Sequence, residues 1–197
     1  MATWTDIFNI LFRWIHVFSG ITWIGLLYFF NFVNANFAAT LDAETKKKVV
    51  PELMPRALFF FRWAAMLTLI AGLVLLYINY MPNGGSMFTT SRGHWMMMGA
   101  GFGIIMWFNV WFIIWPSQRK IINGIKQGSP APANVVKTAA LASKINVFLS
   151  FPMLFAMLAA GGHFLYDDWY WFLGVIVIGF GIAQHLYKVA PKISTNV

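Results

Sequence analysis

Apolar positions in this chain gather into five runs, each long enough for the roughly 20 helical residues that cross a hydrocarbon core. The runs are Ile7–Val33, Pro55–Tyr80, Arg92–Trp115, Val136–His163 and Trp169–Lys188. Between them lie "NANFAATLDAETKKKVVPELM", "MPNGGSMFTTS", "PSQRKIINGIKQGSPAPAN" and the very short "FLYDD". The Pro, Gly and Asn of the second and third segments predict loops. No strand alternation, internal repeat or domain boundary interrupts the pattern. The expected fold is therefore all-α: an integral membrane bundle of about five transmembrane helices, with residues 1–197 forming one transmembrane domain. The opening "MATWTDIFNI" lacks a basic region, and no small-x-small site follows the first run. That run is expected to be retained rather than cleaved as a signal peptide.

Charge sets the orientation. Lys46, Lys47, Lys48, Arg56, Arg119, Lys120, Lys126, Lys137 and Lys192 fall in the first and third connections and the C-terminal segment. Arg62, Lys144 and Lys188 stand just inside the adjoining helices, whereas the opposite side keeps Arg13, Arg92 and the acidic pair Asp167 and Asp168. The positive-inside rule then predicts an outer N-terminus and a cytoplasmic C-terminus. Composition agrees with a bilayer: 59% of the 197 residues are hydrophobic and 10% charged. The net charge of +8 sits in short segments between apolar runs, a membrane distribution that argues against nucleic acid as a partner. The absence of cysteine excludes disulfides, thiolate metal sites, iron–sulfur clusters and covalently attached c-type haem.

The four histidines, His16, His94, His163 and His185, carry the candidate chemistry. Near a helix end, an imidazole is readily an interfacial cap or a hydrogen-bonded packing residue. Deeper in the membrane an ionisable group is costly and points to function. At about 1.5 Å per residue, His16 lies roughly 13 Å below the outer end of its helix. His94 and His163 lie near the outer ends of theirs, while His185 is toward the cytoplasmic end. Gly20, Gly181 and Ala159 each stand one turn from His16, His185 and His163, so each imidazole shares a face with a small residue. Such a cleared patch suits either a flat macrocycle or close helix packing. Arg13 and Arg92 are each within a turn of a histidine. They suit haem propionates, with snorkelling to headgroups as the other reading. Together these features predict non-covalent haem b, one group or two. Two of His16, His94 and His163 are the axial candidates. His185 is the candidate for a second haem, with Met106 at comparable depth as its partner.

Other chemistries find less support. There is no Ser/His/Asp spacing and no phosphate loop after a strand. Imidazole also suits zinc or copper, but no HxxxH or HxH pair is present. Asp167 and Asp168 read as a solvated turn. Trp4, Trp95, Trp115, Trp169 and Trp171 read as interfacial belts, and Gly99 and Gly103 as a helix-packing face.

The stretches "HWMMMGAGFGIIMWFNVWFIIWPSQRKIINGIKQGSPAP" and "KINVFLSFPMLFAMLAAGGHF" resemble the N-terminal membrane domain of bacterial membrane-bound urate oxidases (urate hydroxylases). The likeness includes His94, Met106, Asn109, Pro116, Gln118, Arg119, Asn146, Pro152 and His163. "RWIHVFSGITWIG" around His16 is similar to that family's first helix, and "AQHLYK" around His185 more loosely to its last. Family members that oxidise urate carry a C-terminal cytochrome c domain, and no CxxCH stands in these residues. The resemblance therefore implies a multi-pass module of the bacterial inner membrane that exchanges electrons with a separate c-type cytochrome at the outer face. Other membrane subunits, or further copies of the chain, are expected partners within the bilayer. Two alternatives stand beside this reading: a urate- or purine-oxidising enzyme with cytochrome c as acceptor, and a haem-free structural subunit of a respiratory or oxygenase complex.

The charge pattern yields a topology test. Reporter fusions after Ser86 and Tyr166 are expected to report the outer side, and fusions after Thr45 and Gln127 the cytoplasm. The reverse pattern overturns the orientation.

Overall fold

A computed structural model describes residues 3–82 and 85–193. They form five long apolar helices: α1 (Trp4–Thr40), α2 (Ala43–Tyr80), α3 (Ser91–Gln127), α4 (Ala133–His163) and α5 (Trp169–Lys192). No strand occurs among the described residues. Each of the five apolar runs becomes a helix of spanning length.

The helix starts follow from local chemistry. Thr3 accepts from the Asp6 amide at 3.2 Å and Asp6 accepts from the Thr3 amide at 2.9 Å, a reciprocal cap that satisfies two orphan donors. Asp42 caps α2 through the amides of Glu44 and Thr45 at 2.9 and 3.0 Å. Gly128 ends α3 with φ 68°, and Gly162 breaks the last turn of α4 with φ 97°, a region where a side chain is penalised.

At the basic end the helices run on where the sequence reads as connection. The break between α1 and α2 shrinks to Leu41 and Asp42, and α3 continues through Pro116 to Gln127. A π-helical segment, Asn109–Ile114, immediately precedes Pro116. Its wider turn shifts the preceding carbonyls that a proline ring would otherwise meet. A second π segment, Phe29–Asn34, lies in α1, and a third, Ala159–His163, closes α4.

The helices pack as a pair and a trio. α1 lies along α2, while α4 lies between α3 and α5. The two groups meet chiefly through the basic-end half of α3 against α2. Polar side chains of α4 tie the trio to α1: Ser150 Oγ is 2.8 Å from the Tyr28 hydroxyl, and Ser143 Oγ accepts from Asn31 at 2.8 Å. Tyr187 of α5 donates to Asn31 at 2.8 Å. Between them on α4, the fully buried Asn146 accepts from Asn109 at 2.8 Å and donates to the Met106 carbonyl at 2.9 Å. Gly99 faces Ala156 and Met157 of α4, as the packing-face reading expects.

One tryptophan departs from the belt reading, and a second is covered by a cation. Trp95 is fully buried among Ala156, Ala159 and Ala160 and donates to the Tyr166 carbonyl at 2.9 Å. Trp115 is half-buried under the Arg62 guanidinium. An indole pulled inward gains more from packing and a hydrogen bond than from the interface.

The contact of α4 with α5 depends on one missing side chain. A Cβ on Gly179 would lie 2.7 Å from Pro152 Cδ and 3.1 Å from its backbone nitrogen. Gly179→Ala is expected to lose about 1–3 kcal/mol through overpacking, read as a lower unfolding midpoint in detergent. An unchanged midpoint would show that α5 shifts freely on α4.

Candidate functional site

His16 sits on α1 where it packs against α2. Its Nδ1 lies 2.8 Å from the Thr68 carbonyl. A carbonyl only accepts, so Nδ1 carries the proton, and in the neutral ring Nε2 keeps its lone pair. That carbonyl belongs to a helix, where residue 72 one turn on also reaches it. Residue 72 is glycine: a Cβ there would stand 3.0 Å from Cε1 of His16 and 3.2 Å from Nδ1. The missing side chain makes room for the ring. The support continues beneath it, because Thr68 Oγ1 donates to Ser19 Oγ at 2.9 Å and Ser19 donates to the Ile15 carbonyl at 2.6 Å. Sequence reading singled out His16 but not Thr68, Gly72 or Ser19. The four-residue spacing of Thr68 and Gly72 on one face of α2 was the available signal.

His94 is held differently. Its Nδ1 lies 2.6 Å from the Asp167 carboxylate and its Nε2 lies 3.1 Å from the Phe88 carbonyl. Both partners only accept, so both ring nitrogens donate, and the pair is a hydrogen-bonded ion pair. This hydrogen bond, more than the charge, holds the Asp167 carboxyl below its ordinary range. Asp167 is thus a specific partner of His94 rather than a solvated turn residue. It fastens the short α4–α5 connection to the start of α3.

His163 closes α4 just after Gly162 and is exposed. His185 is exposed on α5, while Met106 is fully buried in the core. Arg92 donates from Nε to the Ala160 carbonyl at 3.2 Å, and Arg13 donates to Asn9 at 3.2 Å. The small residues beside the histidines differ in what they leave open. Gly20 faces Thr68 of α2, Ala159 is packed in the Trp95 cluster, and Gly181 has nothing nearby. No group of three or more His, Asp or Glu side chains arranged for a metal ion occurs among the described residues.

The four histidines differ in what their ring nitrogens have left to offer. His16 has the fixed tautomer and the hydrogen-bonded outer partner that ligating histidines have. His94, as held here, has no lone pair to offer. His163 has neither ring nitrogen hydrogen-bonded among the described residues.

A pocket of about 540 Å³ opens at the basic end instead, between all five helices. Asn31, Asn34, Gln118, Ser143, Lys46 and Lys144 supply its polar groups, over a floor that includes Phe30, Met54 and Phe61. Its volume is that of a small-molecule site. Sequence reading missed it because its lining comes from five separate helices.

Five apolar helices tied by buried polar contacts, with an anchored imidazole between two of them, define a multi-pass membrane protein. A match to the urate oxidase N-terminal family spans residues 85–195, more than half of the sequence, and the chain belongs to that family. The matched span holds His94, His163, His185 and the Asn109–Asn146 pair, and it leaves His16 and its α2 partners outside. No curated protein and no solved structure matches the chain.

Gly72→Ala tests the seating of His16. The added methyl displaces the ring and costs a hydrogen bond of about 0.5–1.5 kcal/mol, offset by about 0.5–1 kcal/mol from alanine in a helix. Stability is expected to stay nearly level, while nitrogen NMR of labelled histidine shows the single Nδ1–H tautomer giving way to a mixture. A retained single tautomer contradicts the assignment.

Proposed function

We propose that the chain is a membrane-integral b-type haem protein of the bacterial inner membrane, passing electrons to or from a separate c-type cytochrome at the outer face. The observation that carries the reading is His16: a half-buried imidazole whose Nδ1 proton is committed to the Thr68 carbonyl, leaving Nε2 free. Haem supplies one-electron chemistry when bound. The chain's residues set its position and potential. His16 would hold the haem through Nε2, and His163, whose imidazole carries no hydrogen bond among the described residues, would be the second histidine of the outer set to hold it. His94 is then the third outer histidine, and its bond to Asp167 positions the connection that follows His163. Arg13 and Arg92 keep guanidinium nitrogens for propionates. His185 marks a site for a second haem. The excess of lysine and arginine at the other end orients the N-terminus, His16, His94 and His163 outward.

A second reading, favoured by the family membership, is a urate- or purine-oxidising enzyme with cytochrome c as acceptor. The amide- and hydroxyl-lined pocket of about 540 Å³ supports it, since a purine edge presents donors and acceptors together.

A dithionite-reduced-minus-oxidised spectrum of protein from haem-replete cells is expected to show Soret and α bands. His16→Ala and His163→Ala are each expected to abolish the low-spin signal, with His94→Ala weakening rather than removing it. A spectrum without haem bands rejects the first reading. Urate-dependent reduction of added cytochrome c establishes the second.

A further inference from the structure

The Arg62 guanidinium in α2 lies over three indoles, with Cζ 4.1 Å from the ring centre of Trp115, 4.9 Å from Trp111 and 5.7 Å from Trp63. Arg119 of α3 approaches the same Trp115 ring at 5.9 Å. One indole therefore carries guanidinium groups from two helices. Neither arginine has a carboxylate partner among the described residues, where the side-chain ion pairs are Arg56 with Glu52 and His94 with Asp167. Arg62 Nε and Trp111 Nε1 are also buried without a hydrogen-bond partner.

Every one of these polar atoms is a donor. Guanidinium and indole have no acceptor lone pair to offer each other, so the cluster satisfies neither its hydrogen bonds nor its charge. What it lacks is an acceptor bearing negative charge. A pocket of about 170 Å³ opens against Trp115, lined by Pro55, Arg119, Ile122, Asn123 and Lys126. It adds a third cation and an amide where the apolar part of α3 gives way to its basic end.

We propose that this groove between α2 and α3 binds the phosphate of an acidic phospholipid headgroup. Two features favour a lipid over a free anion. The site lies at the basic end of the bundle, the level at which anionic headgroups gather around lysine and arginine. Beside its indoles the surface is apolar and exposed: Phe59 packs on Trp63 at 6.5 Å, and the two are 52% and 43% exposed. That surface suits acyl chains. The phosphate accepts from Arg119 and Lys126, which line the pocket, and from Arg62, whose half-buried guanidinium the indoles hold in place.

The test uses the full chain, delipidated in a neutral detergent, with tryptophan fluorescence and the heat-unfolding midpoint as readouts. Short-chain phosphatidylglycerol is expected to raise the midpoint saturably and to perturb the fluorescence, with phosphatidylcholine and inorganic phosphate doing neither. Arg119→Gln and Lys126→Gln alter exposed side chains, so their folding is not at issue. Each is expected to weaken phosphatidylglycerol binding about fivefold, the effect of one interfacial charge. Arg62→Gln is expected to weaken it further, and if that variant does not fold, the two exposed variants decide. An equal response to phosphatidylcholine, an equal response to inorganic phosphate, or unchanged affinity in both exposed variants overturns the proposal.

Discussion

The bundle depends on an amide with no water to fall back on. Asn146 is fully buried on α4, and each half of its side chain is committed: the oxygen to Asn109, the nitrogen to the Met106 carbonyl. In lipid, apolar side chains gain little by choosing protein over solvent, so close packing and polar contacts decide which helix faces which. Sliding α3 along α4 by one turn would break both bonds at once. The same face of α4 carries Ser143 and Ser150, which reach Asn31 and Tyr28 on α1. One stripe on one helix thus fixes the register of its neighbours, and the rest of the architecture hangs from it.

The two ends of the bundle are built on different terms. At the His94 end, polar groups are anchored: His16 to α2, His94 to Asp167, Arg92 to the backbone of α4. At the basic end, charge is left over. Lys46, Lys144, Arg62 and Arg119 have no carboxylate partner among the described residues, and both pockets described here open among them. Hydrogen-bonded histidines mark one end, and cations without a carboxylate among the described residues mark the other.

The spans were legible because a bilayer imposes a length and a hydropathy that no tertiary contact has to supply. That His16 would need a polar partner was legible for a similar reason, since an imidazole at that depth needs an explanation. Its partners were not. Thr68 matters through its backbone carbonyl, and Gly72 through a side chain it does not have. Trp95 carries the composition of a belt, and only packing shows it turned inward. Pro116 read as the end of a helix because the π segment ahead of it leaves no mark in the hydrophobic pattern. Arg62 entered the reading as a count toward orientation, and its three indoles come from two helices.

The division into a pair and a trio also has a mechanical side. α1 and α2 share the most extensive contact, and α4 joins α3 and α5 into a second unit, while the α1–α4 contact is comparatively slight. The soft direction of such an assembly is a scissoring of the two units at the end away from the α2–α3 contact. His16 belongs to one blade and His163 to the other. Any group gripped by both would act as a clasp, and its presence or loss would be felt as stiffness throughout the bundle.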